Sequence, residues 1–285
     1  MTPEPPLDRL SPAHESLGTR NDLCVRLARS AQEVATAQEL RFSVFYEELK
    51  ANPDAASSQS RRDADRFDAF CDHLIVVRRT ARNGAAQFGV DDGEMVGTYR
   101  LLRQSVAEQN GGFYTQSEFD IAPLLAAKPA LKFLELGRSC VLKQYRTKPV
   151  VELLWQGIWN YVRHHGLDVM LGCASLEGVD HRIHAGTLNF LARNCAAPME
   201  WRVRALPERY IEMKSDAGNS TDAKAALKAL PPLIKGYLRL GCYIGEGAVI
   251  DRQFNTTDVL IILPVSNINP RYFAHFGQPN EAITG

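Results

Sequence analysis

The stretch 131–175, LKFLELGRSCVLKQYRTKPVVELLWQGIWNYVRHHGLDVMLGCAS, decides the fold of this chain. Its first twelve residues, 131–142, are rich in apolar residues, which is typical of a buried strand. Pro149 marks the start of a helix, because proline is tolerated in the first helical turn, and Gly166 marks its end. The apolar residues of this helix recur at helical spacing and are Val151, Leu154, Trp155, Ile158 and Val162. Since 168–175 is again a strand, the stretch predicts a strand–helix–strand unit.

Elements on either side extend this unit into a larger sheet. Upstream, the sequence predicts a strand at 24–28, a helix at 31–50, a loop at 52–62, and strands at 73–77 and 94–102 joined by a turn at 83–93. Downstream, it predicts helices at 181–193 and 231–241, a polar linker at 214–222, and strands at 248–251 and 258–263. This order indicates an α/β (α+β) fold with a mixed, mostly antiparallel central sheet and helices on both faces. Residues 1–22 are interpreted as a flexible tail and 23–285 as one domain.

Composition narrows the class of function. Lys plus Arg and Asp plus Glu both number 33, so the formal net charge is zero and bulk binding to nucleic acid is disfavoured. The six cysteines include no Cys-x-x-Cys pair, and His181 and His184 have no evident third ligand. We therefore expect no metal and no bound cofactor. No segment has the roughly 18 to 20 apolar residues of a membrane span, so the sequence predicts a cytoplasmic protein whose membrane contact is peripheral.

Several blocks of sequence, taken together and in order, resemble one enzyme family. The blocks are Arg41-Phe-Ser-Val-Phe-Tyr-Glu-Glu48, Phe67-Asp-Ala-Phe-Cys-Asp72, Glu135-Leu-Gly-Arg138-Ser-Cys-Val-Leu142 and Leu233-Ile-Lys-Gly-Tyr-Leu-Arg-Leu-Gly241. From about Val25 to Phe276 the chain is similar to the ornithine lipid synthases, which N-acylate ornithine on the GNAT acyltransferase fold. It resembles the acyl-homoserine lactone synthases more distantly, through Asp65 and Asp68 followed by a Glu-x-x-Arg motif.

The resemblance implies a specific reaction and specific partners. It implies an N-acyltransferase that moves a (3-hydroxy)acyl group from acyl carrier protein to the α-amine of L-ornithine, giving a lyso-ornithine lipid in the first step of ornithine lipid synthesis. The donor is then a phosphopantetheine-linked substrate. Two alternatives stay open: an autoinducer-type synthase or other amine N-acyltransferase, and a non-catalytic GNAT-like module that binds acyl carrier protein.

Glu135 is the candidate general base. Amide formation from a thioester needs a neutral amine, and the amine of a free amino acid is mostly protonated at pH 7, so a group must accept its proton. A carboxylate on a buried strand is costly unless it is paired or used. Arg138, three residues further, falls on the opposite face of an ideal strand, and a bulge at Gly137 would bring the two together. The alternative is a structural Glu–Arg ion pair.

Ser139 and Cys140 are candidates for the next step. Attack on the thioester builds an oxyanion, and backbone N–H groups at a distorted strand can stabilise it. Cys140 also has the chemistry of an acyl-carrying nucleophile. This role is disfavoured, because no histidine adjoins it in sequence to activate the thiol.

The segment 142–149 occupies the position of the GNAT pyrophosphate loop. Gln144 of the usual motif is present, but Thr147 and Pro149 replace its glycines, and a loop without glycine wraps a diphosphate less closely. Coenzyme A has a diphosphate, whereas carrier-bound phosphopantetheine has one phosphodiester, so the change favours a carrier protein. The loop's basic residues, which suit an acidic carrier, are Lys143, Arg146 and Lys148. A solvated basic turn is the alternative.

Charged residues earlier in the chain are candidates for binding the acceptor amino acid. Ornithine has two ammonium groups and one carboxylate, so both acidic residues and an arginine are needed. The acidic candidates are Asp65, Asp68 and Asp72, and the candidate partners of the carboxylate are Arg41 and Arg100. A solvated helix end, where Asp is common, is the alternative.

Overall fold

A computed structural model describes residues 16–79, 86–215 and 223–269. Its strands are β1 (Gly18–Arg20), β2 (Leu23–Leu27), β3 (Asp72–Arg78), β4 (Gly89–Val90), β5 (Gly93–Arg103), β6 (Phe119–Asp120), β7 (Phe133–Val141), β8 (Val169–Glu177), β9 (Arg204–Ala205), β10 (Tyr243–Asp251) and β11 (Thr256–Pro264). Its α-helices are α1 (Ala31–Phe42), α2 (Ala55–Ser60), α3 (Gln104–Gln109), α4 (Ala122–Ala127), α5 (Lys148–His165), α6 (Ala185–Asn194), α7 (Ala223–Ala229) and α8 (Pro232–Arg239). A π-helix spans Ser43–Glu48, and short 3-10 helices include Arg66–Ala69, Tyr114–Ser117 and Lys143–Tyr145.

The chain divides into two compact units. Of the described residues, the first takes in those up to Val106 together with Leu136–Gly166, and the second takes in Ala107–Glu135 and those from Leu167 onward. Strand β7 therefore contributes its first three residues to the second unit and the others to the first. The interpretation of residues 23–285 as one domain stays a prediction.

The sheet of the first unit is built from neighbouring antiparallel strands. β1, β2, β3 and β5 follow one another, each antiparallel to the next, and β7 lies beside β5. β1 forms a hairpin with β2 through Asn21 and Asp22, and Asn21 adopts the positive φ of 55° that such tight turns favour. Residues 16–22 of the segment predicted as a tail therefore belong to the described structure, and residues 1–15 of that segment lie outside the described residues.

Helices cover both faces of this sheet. They are needed on both, because successive apolar side chains of β3 point to opposite faces. Ile75 and Val77 point to one face and pack in a core with Leu40 of α1. Leu74 points to the other face, where it lies against α5 at Gly157. A Cβ at Gly157 would stand 2.7 Å from the Val25 side chain, so glycine allows α5 to approach the sheet closely. The predicted mixed sheet with helices on both faces is confirmed here.

The helix α5 is close to its prediction at both ends. It begins at Lys148 with Pro149 in its first turn, and Gly166 closes it in the left-handed conformation with φ of 57°. Its buried side was predicted less well. Val151 is 44% exposed, whereas Val150 and Leu153 are buried, because the helix presents a face that is turned by about one residue from the predicted stripe.

The second unit contains a sheet of parallel and antiparallel pairs. β8 is parallel to the first residues of β7 and antiparallel to β11, which is antiparallel to β10. β9 pairs with β10 in parallel and with β6 antiparallel. Within this unit α6 packs against β10 and α7.

Two predicted elements differ from the structure. The helix predicted at 31–50 changes at Ser43 from α-helix to π-helix, a widening that often accompanies functional positions. The loop predicted at 52–62 was wrong, because α2 lies within it. Its residues lack an apolar period, but the Asp54 carboxylate caps the helix by accepting the Ser57 N–H at 2.7 Å.

Two other predicted segments lie partly outside the described residues, namely the turn at 83–93 and the linker at 214–222.

Candidate active site

Three arginines and three aspartates meet in the first unit, and we name this group the arginine–aspartate cluster. Its members come from α1, from the segment between α2 and β3, from β5 and from β7, and they are Arg41, Asp63, Asp65, Asp68, Arg100 and Arg138. Because charges of both signs are equal in number, the cluster is formally neutral. Such balance is needed where charged groups are buried.

Arg41 lies at the buried end of the cluster. Its Nε is 2.8 Å from Asp63 Oδ2 and its Nη2 is 2.8 Å from Asp68 Oδ2, and its side chain is 1% exposed. The sequence predicted that Arg41 binds the carboxylate of the acceptor. In the structure its guanidinium holds two aspartates in place, and the binding of the acceptor stays a prediction.

Asp65 joins the other two arginines. Its Oδ1 accepts a hydrogen bond from Arg100 at 2.7 Å, and its Oδ2 accepts one from Arg138 at 3.0 Å. The same carboxylate caps the 3-10 helix that follows it, by accepting the Phe67 N–H at 2.8 Å. The side chains of Asp65 and Arg138 are 25% and 11% exposed, against 5% or less for the other members of the cluster. The accessible edge of the cluster is therefore the pair Asp65–Arg138.

Burial and charge set the protonation of the cluster. Burial would raise the pKa of the Asp68 carboxyl, but the charges of Arg41 and Arg100 hold that pKa well below its usual value. Burial and then Arg41 lower the pKa of His73 to about 4. His73 is thus neutral near pH 7, with its Nε2 3.1 Å from the Asp68 carbonyl oxygen, and it adds no charge to the cluster.

Arg138 has a strained backbone, with φ of 51°. A non-glycine residue in this left-handed region is uncommon and costs about 1–3 kcal/mol unless its surroundings hold it. The bulge that the sequence placed at Gly137 is thus corrected to a distortion at Arg138. The ion pairs from Arg138 to Asp63 and Asp65 supply the restraint, at 3.2 and 3.0 Å.

Asp72 does not join this cluster, which corrects its grouping with Asp65 and Asp68. It accepts a hydrogen bond from the Tyr161 hydroxyl at 2.5 Å and lies 3.6 Å from an Arg103 nitrogen. The reason is strand alternation: Asp72 and His73 are neighbours on β3, so they point to opposite faces of the sheet.

Glu135, the candidate base, lies in the second unit and is 5% exposed. Its Oε1 accepts the backbone N–H of Thr115 at 2.7 Å, and its Oε2 accepts that of Tyr114 at 2.9 Å. These bonds fix the carboxylate at the start of the 3-10 helix Tyr114–Ser117.

Cys140 packs in the apolar core of the first unit with Leu40 and Ile75, and Ser139 before it is half-buried. Burial raises the pKa of the Cys140 thiol well above its usual value. Since the thiolate is the nucleophile of cysteine chemistry, a protonated, buried thiol is a poor acyl carrier.

The basic loop lies on the surface of the first unit, where Lys143, Gln144 and Thr147 are exposed. Arg146 forms two hydrogen bonds to the Glu48 carboxylate, at 2.6 and 2.8 Å. Lys148 is 85% exposed and 3.4 Å from Glu152 one helical turn along α5. The loop thus presents two lysines to solvent at the start of this helix, while Arg146 is tied to the π-helix.

Asp63 was missed in the sequence although it contacts both Arg41 and Arg138. A signal existed, because Asp63, Asp65 and Asp68 are spaced closely in one short polar segment.

Comparison with known proteins identifies the family of this chain. It is 50% identical over 268 residues to an L-ornithine N(alpha)-acyltransferase from Agrobacterium fabrum, covering 94% of this chain and 89% of that protein. It is also 50% identical over 267 residues to the enzyme of the same name from Rhizobium meliloti, covering 94% and 88%. The chain belongs to the L-ornithine N(alpha)-acyltransferase family.

The predicted family resemblance is thereby confirmed. Residues 40–156 of this family member also match the acetyltransferase (GNAT) domain, and every candidate site residue from Arg41 to Lys148 lies in that range. Among solved structures, an N-acyl amino acid synthase from uncultured soil microbes aligns with a TM-score of 0.48 and 12% identity, covering 88% of this chain and 97% of that one. Among the described residues, each helix is too short or too polar to cross a lipid bilayer.

Proposed function

We propose that this member of the L-ornithine N(alpha)-acyltransferase family transfers a (3-hydroxy)acyl group from acyl carrier protein to the α-amine of L-ornithine, and that its product is a lyso-ornithine lipid. The observation that carries the proposal is the match of 94% of the chain to relatives of that name at 50% identity. The carrier protein as donor is supported by the loop that replaces the glycines of the pyrophosphate motif with Thr147 and Pro149.

The reaction forms one bond and breaks one. The neutral α-amine attacks the thioester carbonyl, the C–N bond forms, the C–S bond breaks, and the departing phosphopantetheine thiolate takes up the second proton that the nitrogen loses. We assign Glu135 to accept the proton of the α-ammonium, directly or through one water. Its hydrogen bonds from Tyr114 and Thr115 hold the carboxylate in one orientation, which a base needs in order to reach the amine.

We assign stabilisation of the oxyanion to the backbone N–H groups of Ser139 and Cys140, which follow the distorted residue Arg138. A donor of this kind is worth about 3 kcal/mol in related enzymes. We assign binding of the acceptor's carboxylate to Arg138, which is the most exposed arginine of the cluster. Arg41 and Arg100 then act as positioning residues, because they hold the aspartates that orient Arg138.

Reversing the charge of two loop lysines should weaken carrier binding. Lys143 and Lys148 are exposed, and an exposed ion pair contributes up to about 1 kcal/mol. With the repulsion that reversal adds, Lys143→Glu/Lys148→Glu should raise the Kd for acyl carrier protein roughly 5- to 30-fold. Added salt should reduce the difference. Arg146 is left in place, because its change would also disrupt the contact with Glu48.

A matched control separates local from overall charge. Lys224→Glu/Lys228→Glu makes the same change in net charge on the exposed side of α7 and should leave the Kd unchanged. The carrier proposal fails if the two double variants bind equally. It also fails if wild-type enzyme turns over acyl-coenzyme A and acyl carrier thioester equally at matched concentration.

The acceptor should be selected by both of its charged ends. Ornithine should be acylated on the α-amine, while putrescine, which lacks the carboxylate, should not react. Lysine is one methylene longer and should react more slowly by about 1–3 kcal/mol, or roughly 10- to 200-fold in kcat/KM. Mass spectrometry of products from a mixture of acceptors measures this directly. Acylation of glycine or putrescine as readily as ornithine would contradict the proposal.

A further inference from the structure

Three carboxylates meet inside the second unit, apart from the groups that the proposed reaction uses. They belong to Glu118, Asp251 and Asp258, and one oxygen of each lies within 4.8 Å of the others. Their residues are 1%, 7% and 5% exposed. We name them the carboxylate triad.

The triad has a surplus of negative charge. An ion pair to the triad comes from Arg209, whose Nη2 is 3.5 Å from Glu118 Oε1 and whose side chain is 31% exposed. Three carboxylates thus lie together inside the unit, and the arginine that pairs with Glu118 is partly solvated. Buried charge of one sign requires a cation or a proton.

The carboxylates of the triad differ in the hydrogen bonds that they accept. Asp251 Oδ1 accepts the N–H groups of Gln253 and Phe254, at 2.8 and 3.0 Å, in the turn between β10 and β11. The nearby side chains of Thr256 and Ser175 act to lower the pKa of Asp258, against the larger effect of burial. The Asp258 Oδ1, however, has no hydrogen-bond partner in the part of the chain that the structure describes. A buried acceptor without a hydrogen-bond partner is rare, and this oxygen can accept a hydrogen bond from a bound group.

The protonation of Asp258 agrees with this charge surplus. Burial and then the charge of Glu118 raise the pKa of Asp258 to about 7. Near neutral pH the triad therefore takes up a proton readily, as expected where a positive charge is missing.

The triad is connected to Glu135. The Thr115 N–H binds the Glu135 carboxylate, and the Thr115 hydroxyl lies 4.0 Å from the Cys173 thiol. Burial, followed by the charges of Glu118, Asp258 and Glu135, raises the pKa of that thiol. The triad and the proposed base thus lie around the same side chain of β8.

We propose that the carboxylate triad binds a primary ammonium group, and that in the reaction proposed above this group is the distal ammonium of the acceptor amino acid. The inference rests on that proposed function for the identity of the ligand. An ammonium has three N–H donors for three carboxylates. Because the three oxygens lie within 4.8 Å of one another, a point equidistant from them lies at most about 2.8 Å from each, which is within the reach of N⁺–H···O⁻ hydrogen bonds.

The test compares two acceptors that differ in the distal amine. Ornithine and 2-aminopentanoate share the α-amine and the carboxylate. Wild-type enzyme should prefer ornithine, and Asp258→Asn, which preserves the shape of the side chain, should raise the KM for ornithine roughly 10- to 100-fold. Turnover of 2-aminopentanoate should change little. Asp180→Asn, at an exposed carboxylate of the same unit, should leave both acceptors unchanged.

Each contrary outcome has one meaning. A parallel loss of both acceptors in Asp258→Asn, or no loss of either, overturns the triad as an ammonium site. One equivalent of metal in the purified wild-type protein that is lost in Asp258→Asn overturns it in favour of a metal site. If wild-type enzyme acylates neither amino acid, the proposed function fails, and calorimetric binding decides the inference. Binding of ornithine but not 2-aminopentanoate then supports it, and equal or absent binding of both overturns it.

Discussion

Replacing Glu135 by Gln should lower kcat/KM for ornithine acylation roughly 10²- to 10⁴-fold, the range over which a general base contributes. Glutamine has nearly the same volume but cannot accept a proton from the ammonium. Its carbonyl oxygen keeps one of the two backbone hydrogen bonds from Tyr114 and Thr115, so the fold should survive. The measurement is steady-state acylation with acyl carrier thioester, together with thermal unfolding.

The pH dependence distinguishes a base from a structural anchor. At high pH the acceptor amine is already neutral, so the Gln variant should recover activity as pH rises, whereas a structural defect would persist. Glu135→Asp is the matched control, because it retains a carboxylate and should keep more activity than Gln. A fully active or unfolded Gln variant would remove Glu135 as the proposed base.

Replacing Arg41 by Met should destabilise the first unit by about 3–5 kcal/mol, as expected when one partner of a buried ion pair is removed. The Arg41 side chain is 1% exposed and pairs with both Asp63 and Asp68, at 2.8 Å each. Methionine fills much of the space but leaves two buried carboxylates without their main counter-charge. Denaturant unfolding, followed by circular dichroism, measures the change in free energy.

A surface arginine provides the comparison. Arg62 pairs with Glu39 at 2.7 Å, but both side chains are 39% exposed, so Arg62→Met should cost no more than about 1 kcal/mol. The triple variant Arg41→Met/Asp63→Asn/Asp68→Asn should regain part of the loss, because it removes the uncompensated charges as well. If Arg41→Met is no less stable than Arg62→Met, the cluster does not have the structural role assigned to it.

Local patterns in the sequence predicted much of the fold. The apolar run before Gly137, the proline at the start of α5 and the glycine at its end act over a few residues, so the order of residues alone reveals them. The family resemblance was equally visible, because its motifs are local. The helix α2 was not predicted, because its few residues lack the apolar period that a longer helix shows. Its first turn is capped by the Asp54 carboxylate, which accepts a hydrogen bond from the Ser57 N–H.

The sequence alone thus determined the strand–helix–strand unit, the family and the residue types of the site, all of which depend on local order. The tertiary structure decided which charges meet. It separated Asp72 from Asp68, although the two are only four positions apart in the sequence. Asp72 lies at the start of β3, where successive side chains point to opposite faces of the sheet, and it contacts Tyr161, whereas Asp68 contacts Arg41. It also brought Glu118 to Asp258 across most of the second unit's sequence. The free energy of a buried charge depends on partners that folding supplies from distant parts of the chain, and no local pattern records them.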